Sequence, residues 1–286
     1  MGKSACIIFN IYKKNAAETA GEIQAELERH SIKTTVFSFD GKSDKNPAGY
    51  WDIAFSVGGD GTVLYTARCL APFGVPILPV NIGSLGFIAG VNRDSWLTVF
   101  DKWEKGDISI SKRCMFEISI ERNSQIIANS ICLNDAVISS SSIAKLINLK
   151  VNIDSNKNIT ELGSYRCDGL IVATPTGSTA YSLAAGGPIL DPEMEVMLLT
   201  PICPFTLSSR PFVLSLQQTI TITVEKEQRT SLLLNIDGQD TFDLKREDKI
   251  NVRQAPKHAL LIYADMHMYY SAIRTKLFKP EGENNA

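Results

Sequence analysis

The chain has 286 residues, 29 lysines and arginines against 31 aspartates and glutamates, and a formal net charge of −2. That length suits one large domain or two of ordinary size, and the near-balance of charge argues against a nucleic-acid or membrane surface as the main partner. No apolar run approaches the ~20 residues of a spanning helix and the amino terminus carries no signal-peptide core, so the expected location is the cytoplasm.

Residues 4–9 read as a short apolar strand, and residues 15–30 as a helix with Ala16, Ala20, Ile23 and Leu27 along one face. Asn15 with Glu18 three residues on resembles a capping box. Residues 33–39 alternate as a second strand, residues 41–49 form a polar loop, and residues 51–56 are a buried strand. That strand empties into Val-Gly-Gly-Asp-Gly-Thr at residues 57–62, with a helix expected over 63–70. Three glycines let the backbone reach positive φ and bring a ligand close to N–H groups, and a helix start favours negative charge. Gly58, Gly59, Gly61 and Thr62 are therefore candidate phosphate binders. A carboxylate beside phosphates is unfavourable unless a metal, a cation or a proton transfer compensates it, which makes Asp60 a candidate base or metal ligand. A tight turn in which Asp60 merely caps the helix is the alternative.

Pro72 and Gly74 end that helix before an apolar strand at 75–80, and a second glycine turn, Asn-Ile-Gly-Ser-Leu-Gly-Phe, follows at 81–87. A helix at 94–105 carries Trp96, Val99, Phe100 and Trp103 on its inner side. Strands alternating with helices imply a Rossmann-like parallel sheet whose ligands sit at the carboxyl ends of the strands, where both glycine turns lie.

After Gly106 the hydrophobic period falls to two, with strand-like runs at 114–121, 146–153, 220–224, 232–236 and 259–263. These predict a second, mainly β domain over 107–264. The tail at 268–278 is helical again, with Tyr269, Ala272, Ile273 and Leu277 on one face, and a lone helix must bury that face somewhere. We expect residues 265–286 to return to the first domain, which otherwise spans 1–106. Within the β region, an apolar strand at 170–173 runs into a turn holding Thr174, Thr176, Ser178 and Thr179, which opens a short helix at Ala180. Converging hydroxyls and N–H groups suit a small polar ligand, with Arg166 and Asp168 as fixed charges, although a decorated strand-to-helix turn remains the plainer alternative.

The cysteines at 6, 69, 114, 132, 167 and 203 are scattered singly and fit reduced core positions. His30, His258 and His267 have no metal-ligand spacing, and neither G-x-x-x-x-G-K-[ST] nor G-x-G-x-x-G occurs. A nucleotide, if bound, is held another way.

Taken together, residues 58–62, 81–87, Asn134-Asp135, 166–190, 201–211 and Asp237-Gly238-Gln239 resemble the NAD kinase family, whose members phosphorylate NAD to NADP. The Gly-Gly-Asp-Gly turn alone is shared with diacylglycerol-type lipid kinases and phosphofructokinases, whereas residues 175–189 are more selective. The resemblance implies an amino-terminal α/β domain, a mainly β carboxy-terminal domain that binds NAD, an active site between them, and a homo-oligomer, dimer or more usually tetramer. It implies Asp60 as the base acting on the ribose 2′-hydroxyl, with Gly61 beside it. Asn134 and Asp135 would hold the ribose and adenine region. Arg166, Asp168, Thr179, Ala180, Tyr181, Ser182, Leu183, Ala184 and Gln239 would line the rest of the dinucleotide site, and Lys145 falls where the family often has a basic or polar contact. The phosphoryl donor would be ATP or inorganic polyphosphate, with a divalent metal such as Mg²⁺. Two residues depart from the family pattern: Phe205 replaces a common histidine, and Ser84 replaces a bulkier, often basic, residue. A lipid kinase would need an apolar groove that the hydroxyl-rich turn does not offer, and a dinucleotide sensor without turnover would have no use for Asp60.

Overall fold

In a computed structural model the described residues are 2–41, 47–83, 86–88, 90–155, 158–206, 208–262 and 266–277, the first three of the last stretch by backbone alone. Ser84 and most of the polar loop at 41–49 lie outside them. The chain divides into two compact units, Met1–Lys112 with Ala259–Ala286, and Arg113–His258.

The first unit contains β1 (Ser4–Asn10), α1 (Ala16–Arg29), β2 (Lys33–Phe39), β3 (Ile53–Gly58), α2 (Asp60–Leu70), β4 (Pro76–Asn81), β5 (Val91–Asn92), α3 (Trp96–Glu104) and β6 (Ile110–Arg113). The second contains β7 (Phe116–Arg122), β8 (Gln125–Cys132), β9 (Asp135–Ser140), β10 (Ile147–Ser155), β11 (Asn158–Cys167), β12 (Gly169–Ala173), α4 (Tyr181–Ala184), β13 (Val196–Ile202), β14 (Phe212–Ser215), β15 (Thr219–Val224), β16 (Leu232–Ile236), β17 (Asp240–Leu244) and β18 (Lys249–Gln254). The chain ends with β19 (Ala259–Ile262) and α5 (Met266–Leu277), both in the first unit.

The sheet of the first unit runs β2-β1-β3-β4-β19-β6, with β5 beside β4. The pairs β1–β2, β1–β3, β3–β4, β4–β5 and β4–β19 are parallel, the arrangement that strand-helix alternation dictates. On one face Ile7, Phe55, Val57 and Val80 share a core with Ala20, Ile23 and Leu27 of α1 and Trp96, Val99 and Phe100 of α3. Each such Leu, Ile or Phe contributes about 1.5–3 kcal/mol through burial. Trp103, expected among them, is only partly buried.

Three expectations are corrected here. The run at 259–263 is not a strand of the second unit, because β19 pairs in parallel with β4 through Leu260–Pro76 and Leu261–Ile77. With β6 and β19 both in the first sheet, the units meet the chain at 112/113 and 258/259 rather than 106/107 and 264/265. Asn15 forms no capping box: the turn closed by Ala16 N–H to Lys13 O places it in the left-handed region (φ 69°), and its side chain makes no cap hydrogen bond. A side-chain cap needs an extended residue there.

The second unit has two sheets, β11-β10-β15-β18-β7-β8 and β14-β13-β12-β9-β16-β17. Alternate residues of both, among them Phe116, Ile118, Leu149, Val151, Ile222 and Val252 from the first and Ile138, Leu170, Val172, Leu199 and Leu234 from the second, share one core. This is the packing of a sandwich. The opposite face of the second sheet is buried too, Val137, Ile171 and Leu198 packing with Leu190. That double burial holds the segment after β12 against the sheet and builds the site described next.

Candidate active site

In the first unit β3 ends at Gly58, Gly59 is extended at the helix N-cap, and Asp60 is the first residue of α2, three residues earlier than the hydrophobic pattern placed the helix start. The chain must turn sharply here, and Gly58 shows why no side chain fits: a Cβ would lie 2.2 Å from Thr62 Oγ1. Thr62 is fully buried, with Oγ1 at 3.4 Å from Asn10 Nδ2, so its hydroxyl serves the turn's packing rather than an open surface. Gly61 is exposed and Gly59 half-buried.

The second glycine turn lies alongside. Gly58 pairs with Asn81 across β3 and β4, Gly58 O accepts from Ile82 N–H at 2.9 Å, and the Asn81 side chain both donates to Gly83 O and accepts from Gly83 N–H. Asp60 is tied to this turn by its carboxylate, which accepts from Phe87 N–H (Oδ2, 3.0 Å) and Ile88 N–H (Oδ1, 3.1 Å). A Cβ on Gly86 would stand 1.9 Å from Asp60 Oδ1. Asp60 is thus an oriented, half-buried carboxylate at the carboxyl end of a parallel strand, beside the N-terminus of a helix.

In the second unit, residues 133–135 lead into β9. The hydroxyl of Thr174 donates to Leu133 O and accepts from Gly177 N–H, and Thr174 N–H donates to Asn134 O at 2.8 Å. Gly177 packs so closely that a Cβ would meet Asn134 O at 2.1 Å. Ser178 Oγ donates to Pro175 O and accepts from Leu190 N–H, Thr179 Oγ1 donates to Thr176 O, and the Ser182 and Thr200 hydroxyls pair at 2.8 Å. Most hydroxyls of this turn therefore hold the turn itself.

A cavity of about 440 Å³ opens beside it, lined by Asn134, Asp135, Val137, Ala180, Tyr181, Leu233, Asp237 and Gly238, among others. Asn134 Oδ1 is buried with no hydrogen-bond partner among the described residues, an unpaired acceptor at the wall of a cavity. Asp135 is 5% exposed, and burial together with the nearby Asp237 charge pushes its carboxyl up to about 7. Among the described residues no group of three His, Cys, Asp or Glu is placed to hold a metal ion.

Two family models match the chain, one described as the ATP-NAD kinase N-terminal domain over residues 44–108 and one as the ATP-NAD kinase C-terminal domain over residues 133–264. An NAD kinase of Treponema denticola is 40% identical over 276 residues, 96% of this chain and 96% of that one. The chain belongs to the NAD kinase family. An NAD kinase of Geotalea daltonii is 37% identical over 251 residues, 88% of this chain and 86% of that one. Among solved structures, yeast NADH kinase complexed with NADH superimposes with a TM-score of 0.83 at 24% identity, covering 100% of this chain and 89% of that one. An NAD kinase from Archaeoglobus fulgidus in complex with ATP gives 0.71 at 24% identity, covering 94% of this chain and 99% of that one. These two likenesses bear on the fold alone.

The structure distributes the residues expected in the site unevenly. Asn134, Asp135, Ala180 and Tyr181 share the cavity of about 440 Å³. Thr179 and Ser182 are buried behind it, Leu183 is half-buried, and Ala184 is exposed. Asp168 links β11 to β12, its N–H donating to Ile202 O, and Gln239 closes the β16–β17 turn by donating its N–H to Ile236 O. Lys145 and Arg166 line another cavity, of about 1120 Å³, with Glu225, Arg229 and Arg246.

The contacts of two residues named in the sequence were not legible there. Phe205 carries the Arg166 guanidinium over its ring at 4.6 Å, and its N–H donates to Arg166 O at 2.8 Å. Asp237 accepts from Leu133 N–H (3.0 Å), Asn134 N–H (2.8 Å) and Asp135 N–H (3.1 Å). An Asp-Gly pair after a strand signals a hairpin turn, and that signal is present, but it says nothing of where the carboxylate points.

Proposed function

We propose that this NAD kinase family member transfers the γ-phosphate of ATP to the 2′-hydroxyl of the adenosine ribose of NAD, giving NADP. The observation that carries the assignment to the protein's own residues is the Asp60 carboxylate, fixed by two backbone amides at the carboxyl end of β3. Phosphoryl transfer through a loose transition state asks mainly for positioning and charge neutralisation. Asp60 accepts the proton of the 2′-hydroxyl as that oxygen attacks the γ-phosphorus and ADP departs, an effect worth ~10²–10⁴ in rate. Gly59 and Gly61, at the helix start, border the phosphates, where a side chain would stand off the backbone. Asn134 and Asp135 hold the ribose and adenine side of NAD, and the unpaired Asn134 Oδ1 supports that role. Mg²⁺ is taken as part of the nucleotide substrate, and no step is assigned to it. Inorganic polyphosphate is the alternative donor. From the family resemblance we also propose a cytoplasmic homo-oligomer; separately, among the described residues no helix is long and apolar enough to cross a membrane.

The test follows label from γ-labelled ATP to NAD, to its adenosine 2′-deoxy analogue and to diacylglycerol. Label on NAD alone, located at the 2′-oxygen by phosphorus NMR, is the expected outcome. Label on the deoxy analogue or the lipid, or none on NAD, overturns the assignment.

A further inference from the structure

Asp237 lies outside every role assigned above, yet it is the most heavily engaged carboxylate near the second-unit cavity. The chain reverses between β16 and β17 in the three-residue loop Asp237–Gln239, whose first two residues stand at positive φ (52° and 69°) in a turn closed by Gln239 N–H to Ile236 O. This turn buries Asp237 to 6% exposure. Its carboxylate meets three successive backbone N–H groups, those of Leu133, Asn134 and Asp135, while its own N–H donates to Asp135 O at 3.0 Å. Four hydrogen bonds therefore join one residue to one three-residue segment. A hairpin turn needs none of them, since Asn or Gly at the first position would reverse the chain equally well.

We propose that Asp237 is a positioning residue of the NAD site, which fixes the backbone of residues 133–135 and so aims the Asn134 and Asp135 side chains into the cavity they line. The proposal rests on the reading that Asn134 and Asp135 contact NAD. Charge-assisted bonds to an ionised acceptor are about twice as strong as neutral ones, so the segment is held more firmly than strand pairing alone would hold it. Asn134 is pinned from both sides, by Asp237 at its N–H and by Thr174 N–H at its carbonyl. That leaves its side-chain oxygen as the group without a protein partner among the described residues.

The same contact has an electrical consequence. Asp135 sits beside Asp237 with Tyr181 as the other titratable group lining the cavity. Strands β12 and β16, which flank β9, carry no ionisable side chain, and Asp240 and Asp243 on β17 are exposed. Burial first and the Asp237 charge second raise the Asp135 carboxyl to about 7. Removing the Asp237 charge must lower it, which reads out the Asp237–Asp135 proximity separately from the hold on the backbone.

Calorimetric titration of the full chain with NAD, from about pH 5.5 to about pH 8.5, reads both effects. In the parent protein, affinity is expected to rise with pH around 7 as Asp135 ionises and accepts ribose hydroxyls more strongly. Asp237→Asn, which tolerates the left-handed turn, should lose about ten-fold or more in affinity and shift the transition to lower pH. Asp237→Glu keeps the charge but not the reach, so it should lose affinity while the transition stays. Unchanged affinity in either variant, or an unmoved transition in Asp237→Asn, overturns the proposal; if Asp237→Asn does not fold, the Asp237→Glu affinity decides. Asp135→Asn should bind weakly with no transition, and if it binds as tightly as the parent, the assignment of Asp135 to NAD fails instead.

Discussion

Each unit admits a functional group by leaving out one Cβ, but the two omissions differ in kind. In the first unit, Gly86 makes room for a side chain, the Asp60 carboxylate, 1.9 Å from where a Cβ would stand. In the second, Gly177 makes room for main chain, Asn134 O at 2.1 Å. A carboxylate can swing away from an intruding methyl by rotating, whereas a carbonyl locked by Thr174 N–H cannot move without dragging β9 with it. On the roles proposed above, the contrast separates a site whose precision serves catalysis from one whose precision is architectural.

The largest expected effect is at the group that Gly86 accommodates. Asp60→Asn keeps size and removes the proton acceptor, so kcat should fall by about 10² or more while NAD affinity stays within a few-fold. Steady-state kinetics decide it, and an unchanged kcat removes Asp60 from the role of base. Next comes Gly177→Ala, where backbone must yield to backbone. It should destabilise the second unit by about 2–4 kcal/mol in denaturant unfolding and raise the KM for NAD, because the residue pushed aside is Asn134. Gly86→Ala should show the reverse signature, a melting temperature near the parent's with kcat lowered roughly ten-fold by a misplaced Asp60. If it instead unfolds the protein and leaves kcat of the folded fraction intact, the distinction between the two glycines is wrong. The smallest change is expected for Phe205→Ala, which removes an exposed cation–π contact to Arg166 worth about 0.5–1 kcal/mol. A rise in the KM for NAD of no more than about five-fold, with kcat unchanged, is the outcome to look for.

The same contrast explains what could be read in the sequence. The turn from β3 to α2 was legible because its glycines, its carboxylate and the flanking apolar run are contiguous, so local rules fix them. The two-residue period of the second unit was legible for the same reason. What pairs with what was not. The run Ala259–Ile262 is apolar at every position, the pattern of a strand buried on both faces of a parallel sheet, and only its place in the chain groups it with the alternating strands before it; which strand it pairs with is still not written in those four residues. Arg166, expected in the rest of the dinucleotide site, and Lys145, expected as a basic or polar contact, line a different cavity from Asn134 and Asp135, and Arg166 lies on β11, in the other sheet from β9. Asp237 was invisible as a ligand of residues 133–135 because that contact spans a hundred residues of chain. Thr62, expected at the phosphate from its place in the motif, is buried with its hydroxyl against Gly58 and Asn10, contacts to residues that neighbour it in space and that the motif does not reveal.

The late return of β19 also bears on how the protein is made. On a ribosome the chain emerges in order, so β4 must wait for β19 until the whole of β7 to β18 has been synthesised, roughly ten seconds to half a minute at ~5–20 residues per second. Throughout that interval one edge of a parallel sheet faces solvent while a neighbouring set of nascent antiparallel strands is forming, the circumstance in which wrong strand pairing is most probable. Strand β4 carries proline at 76 and again at 79, and each removes one N–H from the strand. The two lie three residues apart, so their missing donors fall on opposite edges of β4; the one on the open edge makes it a poorer template for an intruding strand and still leaves the short pairing at Pro76 and Ile77 that β19 finally supplies.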